Sequence, residues 1–152
     1  MSEIVEGAKA PAFKGTDQNG NTISLTDFSE KKLILYFYPK DDTPGCTKEA
    51  CNLRDNYNEL KNTGFEVVGV SADKADKHIK FIEKYNLPFS LIADVDKEVI
   101  NAFECWGPKK FMGREYEGIL RKTFVIENET IIKIFEKVKT TAHFEQIMEA
   151  LN

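Results

Sequence analysis

Two cysteines five residues apart, Cys46 and Cys51, follow an apolar run and a breaker-rich loop in a 152-residue chain whose third cysteine is Cys105. A thiol does chemistry as its thiolate, so the question is which of these positions favours the anion. Thr43-Pro44-Gly45-Cys46 has the layout of a helix start. Thr43 takes the N-cap, Pro44 the first helical position, where its missing N–H costs nothing, and Cys46 the first turn. Unpaired backbone N–H groups and the positive end of the helix dipole stabilise negative charge there, which suits a reactive thiolate. The same residue also fits a buried structural cysteine. At about 100° per residue it shares an inward stripe with Ala50, Leu53, Tyr57 and Leu60, and free cysteine is among the most buried residue types. Position alone leaves both readings open.

On an intact helix Cys51 lies about 7.5 Å along the axis and about 140° around it from Cys46, off the apolar stripe. The Cα separation is then about 8.6 Å on ideal helix dimensions, beyond the limit of about 7 Å for a disulfide without backbone movement. The two thiols cannot bond while this turn stays helical. Either the pairing is coincidence or the helix must unwind to close the bridge, and Pro44 and Gly45 would help its start to fray.

The elements that hold this segment follow from the apolar pattern. Residues 15–25 carry an Asn19-Gly20 turn signal between short extended stretches and read as a hairpin. Residues 33–38 are apolar without alternation, as in a strand buried on both faces. A loop over 39–45 leads into helix period from Cys46 to about Leu60. Residues 65–71 and 89–93 read as strands. Residues 74–85 read as a helix with Ile79 and Ile82 inward, and 96–103 as a short helix. This alternation predicts an α/β domain of parallel β-α-β units. The rhythm then changes: 118–127 and 130–138 read as strands joined at Asn128-Glu129 and paired antiparallel, and 141–151 as a closing amphipathic helix. The expected architecture is a central mixed sheet flanked by helices, with an N-terminal hairpin, in a single domain over 1–152.

Composition narrows the function classes. With 21 Lys plus Arg against 25 Asp plus Glu, the net charge is -4, and no basic field exists to hold a nucleic acid. The longest apolar run, 33–38, is far short of the roughly 20 residues that span a bilayer. The N-terminal residues lack the basic start and apolar centre of a signal peptide, so the expected compartment is the reducing cytoplasm. His78 and His143 lack the clustered spacing of a zinc site, and Gly64 and Gly69 form no phosphate-cradling motif, so neither metal nor nucleotide cofactor is expected. The 74–84 stretch alternates lysines with acids as a solvated helix face does.

Pro39-x-x-x-Thr43-x-x-Cys46, placed after the 33–38 strand, closely resembles the peroxiredoxin active-site signature. Thr43 to Cys51 is similar to the bacterioferritin comigratory protein, or peroxiredoxin Q, subfamily, in which a second cysteine lies five residues after the first. Gly7-x-x-Ala10-Pro11-x-Phe13, Trp106 to Gly113, and Gly118-Ile119-Leu120-Arg121-x-Thr123-Phe124-Val125-Ile126 resemble it too. The resemblance implies a thioredoxin-like fold and a cofactor-free thiol peroxidase acting on hydrogen peroxide or organic hydroperoxides. In it Cys46 is the peroxidatic thiol and Cys51 the resolving one. Thr43 and Arg121 complete the peroxide pocket, Pro39 shapes and shields it, and thioredoxin or a glutaredoxin-like protein re-reduces the disulfide. It also implies a monomer. From the residues alone Arg121 is ambiguous, because a strand places it and Lys122 on opposite faces. Glu49, one turn after Cys46, reads as first-turn dipole stabilisation or as an orienter of Arg121. Cys105 beside Trp106 reads as packing. A thiol-disulfide oxidoreductase of the same fold is a rival, although it would want Cys-x-x-Cys. A holdase or binding module whose cysteines only pack is another.

Overall fold

A computed structural model describes residues 3–152. Its frame is a five-stranded sheet in the order β5-β4-β3-β8-β9, formed by β3 (Lys32–Phe37), β4 (Phe65–Ser71), β5 (Ser90–Ala93), β8 (Lys122–Glu127) and β9 (Thr130–Phe135). β3 pairs parallel with β4, and β4 with β5, whereas β8 runs antiparallel to both β3 and β9. The fold is the expected mixed α/β sheet flanked by helices. An N-terminal hairpin, β1 (Lys14–Thr16) with β2 (Thr22–Ser24), forms its own two-stranded ladder and is tied to β5 by a bridge between Asp17 and Ile92 and by the Leu91 N–H, which donates to Gln18 Oε1 at 3.1 Å. Its turn is held by the Asp17 carboxylate, which accepts the N–H groups of Asn19 and Asn21 at 2.9 Å each.

β3 is apolar from Leu33 onward because both faces are covered there. Leu33, Leu35 and Phe37 enter one core with Phe13, Val70, Ile100, Phe103, Phe124 and Ile126. Ile34, Tyr36 and Tyr38 enter the other with Ala50, Leu53, Phe81, Val125 and Ile147. The second core carries the chemistry. It lies under α1 (Pro44–Asp55), α2 (Tyr57–Asn62), α3 (Ala75–Tyr85) and α5 (His143–Leu151), while α4 (Glu98–Ala102) serves the first.

Several boundaries differ from the sequence expectation. The helix expected from Cys46 to Leu60 is two, broken at Asn56, which caps α1. On α3 the buried residues are His78 and Phe81, and Ile82 packs partly buried against the same core, as expected. Ile79 is exposed instead, because an 11-residue helix at the sheet edge turns a narrower face to the core. The strand expected over 118–127 is interrupted: Gly118-Ile119 ends β7 (Arg114–Ile119), Leu120-Arg121 form a corner, and β8 begins at Lys122. β6 (Trp106–Phe111) pairs with β7 as a hairpin that the sequence reading lacked. The turn at Asn128-Glu129 is as expected, with φ of 50° and 62°, the left-handed pair that a tight hairpin needs.

Gly69 in β4 admits the packing beneath the site. A Cβ there would lie 2.7 Å from Leu91 Cδ2 and 2.9 Å from Tyr36 Cζ. Gly69→Ala should therefore lose about 1–3 kcal/mol of stability by overpacking, seen as a lower urea midpoint at unchanged slope.

Candidate active site

The site is built where the N-terminus of α1 meets the corner before β8. Pro39 is half-buried at the exit of β3, and the loop from it reaches Thr43. Thr43 occupies the N-cap and Pro44 the first turn, as expected, but the Thr43 side chain does not cap the helix. Its hydroxyl donates to the Lys40 carbonyl at 2.9 Å. With its proton committed there, Oγ1 is left with lone pairs to offer an O–H group.

Cys46 is 1% exposed and sits on the inward stripe with Ala50 and Leu53, so it is buried as well as placed at a helix start. Arg121 reaches it from the corner. Its Nη2 donates to Cys46 Sγ at 3.3 Å and its Nη1 to Glu49 Oε1 at 2.7 Å. Gly45 lets the guanidinium come this close, since a Cβ at that position would lie 3.3 Å from Nη2. The 23% exposure of the Arg121 side chain keeps one side open towards solvent. Arg121 shares its parity with Thr123 and Val125, the face that looks at α1 and α5. Its contacts with Glu49 and Cys46, made from the corner before the strand begins, remove the ambiguity between Arg121 and Lys122.

Glu49 is fully buried, so it orients Arg121 and is not a solvated dipole partner. Burial pushes its carboxyl up to about 7, against the pull of Arg121. Its Oε2 has no hydrogen-bond partner among the described residues. His143 Nε2, at the start of α5, lies 3.7 Å from it. Burial lowers His143 to about 4, so near neutral pH this contact is not an ion pair. Gln146 fixes the tautomer. Its Nε2 donates to the Lys137 carbonyl at 2.8 Å and its Oε1 accepts the Lys139 N–H at 3.0 Å, which leaves His143 Nδ1 to donate to Oε1 at 2.9 Å. His143 Nε2 is therefore the acceptor of the Thr123 hydroxyl, at 2.8 Å. Both histidines that the sequence left isolated are buried in such networks, His78 beneath the 39–43 loop.

Cys51 lies on the same unbroken helix as Cys46 but is half-exposed, and partial burial raises its thiol. All three cysteines are free thiols. Cys105 is buried in the core opposite the site, its thiol pushed up to about 12, which fits packing and no redox use. Glu49 was legible as a partner from its i+3 spacing. His143, Thr123 and Asn52, which accepts the Phe144 N–H at 2.7 Å, carried no local signal.

The AhpC/TSA family matches residues 7–135. The chain is 46% identical over 152 residues to a putative peroxiredoxin bcp of Haemophilus influenzae, covering 99% of this chain and 98% of that one. It is 43% identical to peroxiredoxin Bcp of Escherichia coli over 99% and 97%. Among solved structures, a cysteine-to-serine mutant of Xylella fastidiosa PrxQ superposes with a TM-score of 0.91 at 28% identity, covering 99% and 97% of the two chains. A bacterioferritin comigratory protein of Xanthomonas campestris, described for its alkyl peroxide reduction activity, superposes at 0.84 and 31% identity over 91% and 89%.

Glu49 and His143 push stability in opposite directions. Glu49 ordinarily titrates at 4.5 and here at about 7, so between these the folded state keeps a proton that the unfolded chain loses, and stability falls as pH rises. His143 ordinarily titrates at 6.5 and here at about 4, so its contribution grows as pH rises from 4 to 6.5. Glu49→Gln removes the opposing slope. Relative to the wild type, its melting temperature should climb more steeply between pH 4.5 and 6.5, as thermal melts at both pH values would show.

Proposed function

The chain belongs to the AhpC/TSA family as a peroxiredoxin of the Bcp and peroxiredoxin Q group, a thiol peroxidase, and on that premise we propose that Cys46 is its peroxidatic thiol and Cys51 its resolving thiol. The observation that carries the reading is the Arg121 guanidinium donating to Cys46 Sγ at 3.3 Å. A permanent cation against sulfur at a helix N-terminus puts two sources of positive potential where the attacking sulfur is.

Peroxide reduction is displacement at oxygen. The Cys46 thiolate attacks the distal oxygen of a hydroperoxide, an S–O bond forms, the O–O bond breaks, and the leaving alkoxide or hydroxide takes up a proton. Negative charge moves from sulfur to the leaving oxygen, so a donor already aimed at sulfur is well placed for both. Arg121 supplies N–H groups, and the Thr43 hydroxyl oxygen accepts the peroxide O–H. Pro39 closes the strand side of the pocket. Cys46 is left as a sulfenic acid, which condenses with the Cys51 thiol to a disulfide and releases water. The helix separates these two sulfurs, so α1 unwinds locally before the second step. A dithiol protein such as thioredoxin or a glutaredoxin-like reductant then attacks the exposed disulfide. The protein works as a monomer in the reducing cytoplasm, where that reductant is replenished.

Cys46→Ser should abolish turnover. Cys51→Ser should consume one equivalent of peroxide and stop at a sulfenic acid trapped by dimedone, whereas normal thioredoxin-linked turnover would remove Cys51 from the role. Arg121→Ala should slow peroxide attack about 10²- to 10³-fold, the usual loss for one such donor, measured by stopped-flow fluorescence. A rate unchanged from wild type would remove Arg121 from the peroxide-activating role.

A further inference from the structure

The loop over 39–43 holds its shape through contacts that the peroxidase chemistry does not use. Asp41 is nearly buried, and its carboxylate is fully engaged: the Tyr38 hydroxyl donates to Oδ1 at 2.5 Å, and His78 Nδ1 meets Oδ2 at 2.6 Å. Burial holds the Tyr38 phenol far above its ordinary value, so it remains a donor. His78 is fully buried on α3, and its Nε2 donates to the Ile92 carbonyl at 2.9 Å, a group that can only accept. One proton therefore closes the contact between Nδ1 and Oδ2. The Asp41 N–H donates to Asp73 Oδ2 at 2.8 Å, and Ser71 Oγ holds the same oxygen at 2.9 Å.

The next residue is gripped from the same helix. Asp42 has a φ of 56°, in the left-handed region. Its Oδ2 accepts Lys84 Nζ at 2.8 Å and its Oδ1 accepts the Tyr85 hydroxyl at 2.7 Å. Three residues of α3 thus hold two consecutive loop residues, flanked by Lys40, whose carbonyl takes the Thr43 hydroxyl proton, and by Thr43 itself.

We propose that α3 is a clamp on the peroxide-binding loop, with His78, Lys84 and Tyr85 as positioning residues that fix Asp41 and Asp42, and through the Lys40 carbonyl aim the Thr43 hydroxyl oxygen at the substrate. The proposal rests on the reading of Cys46 as the peroxidatic thiol. Its consequence is selective. Loosening the clamp disorients Thr43, which a hydroperoxide needs and an alkylating agent does not, while Arg121 and the helix N-terminus still face Cys46 Sγ. The ratio of the two reactivities is a readout that a role in stability alone would not move.

The test measures, in Cys51→Ser backgrounds, the second-order rates of Cys46 with hydrogen peroxide and with iodoacetamide, alongside thermal melts. His78→Asn and Asp41→Ala should slow the peroxide reaction about tenfold and leave alkylation within twofold. Asp41→Asn, which keeps a carbonyl for Tyr38 and an amide N–H for His78, should recover most of the loss. Because a buried histidine variant can fail to fold, the surface double variant Lys84→Met with Tyr85→Phe carries the same expectation at about threefold or more. Peroxide and alkylation rates that fall together, or a peroxide rate within twofold of the Cys51→Ser parent in both the buried and surface variants, would overturn the clamp. A parent protein that reacts no faster with peroxide than with iodoacetamide would overturn the peroxidase reading, and the clamp with it.

Discussion

A single guanidinium ties the active site together. Arg121, at a corner between two strands, bonds both Cys46 and Glu49, which are one turn apart on α1, so it meets both only while that turn is helical. The sheet supplies Arg121, the helix supplies the sulfur, and a carboxylate in the core fixes the angle between them. Glu49 is costly where it stands. Its Oε2 is buried without a hydrogen-bond partner among the described residues, and removing a charge from water is unfavourable even beside a cation. The energy of that arrangement is spent on holding Arg121 against sulfur, and the chain tolerates it because α1, β8 and α5 close over it together.

The same turn has to give way in the proposed cycle. A disulfide between Cys46 and Cys51 cannot form on an intact helix, so in that cycle the interactions that hold Cys46 against Arg121 are those that resolution would dismantle. The opening does not stay local. Asn52 accepts the Phe144 N–H and donates to the Thr141 carbonyl and Glu145 Oε1, so it acts as a cap for α5 supplied from α1. Unwinding through Asn52 uncaps α5, next to His143 and Thr123 behind Glu49. The loop before α1 is different, since α3 holds it at Asp41 and Asp42. The active-site helix is thus anchored at its start and releasable along its length.

Much of this was legible in the sequence wherever the signal was local. The unbroken apolar run of β3, the turn at Asn128-Glu129 and the Thr-Pro-Gly-Cys helix start each state their structure within a few residues. The β6–β7 hairpin did not, because its strands are largely exposed, carry a proline at Pro108 and turn at Met112-Gly113, where methionine is an unusual left-handed residue. Arg121 was readable only through resemblance, as nothing in alternation says where a strand will break. His78 and His143 looked isolated because the side chains that tie them to the site, Asp41 and Thr123, are 37 and 20 residues away in sequence, brought close by the parallel crossover and by the return of α5. Ile79 was misread as core because hydrophobicity gives a face only when the neighbouring layer covers it.

The central claim is that one helix alternates between holding Cys46 against Arg121 and releasing Cys51 to bond it. Hydrogen exchange of the backbone amides in the dithiol and disulfide forms tests this most directly. The account predicts that protection across residues 46–53 is high in the reduced protein and collapses on oxidation, with the first turn of α5 losing protection as well and the amide of Asp41 keeping its own. Equal protection across 46–53 in the two redox forms would contradict it.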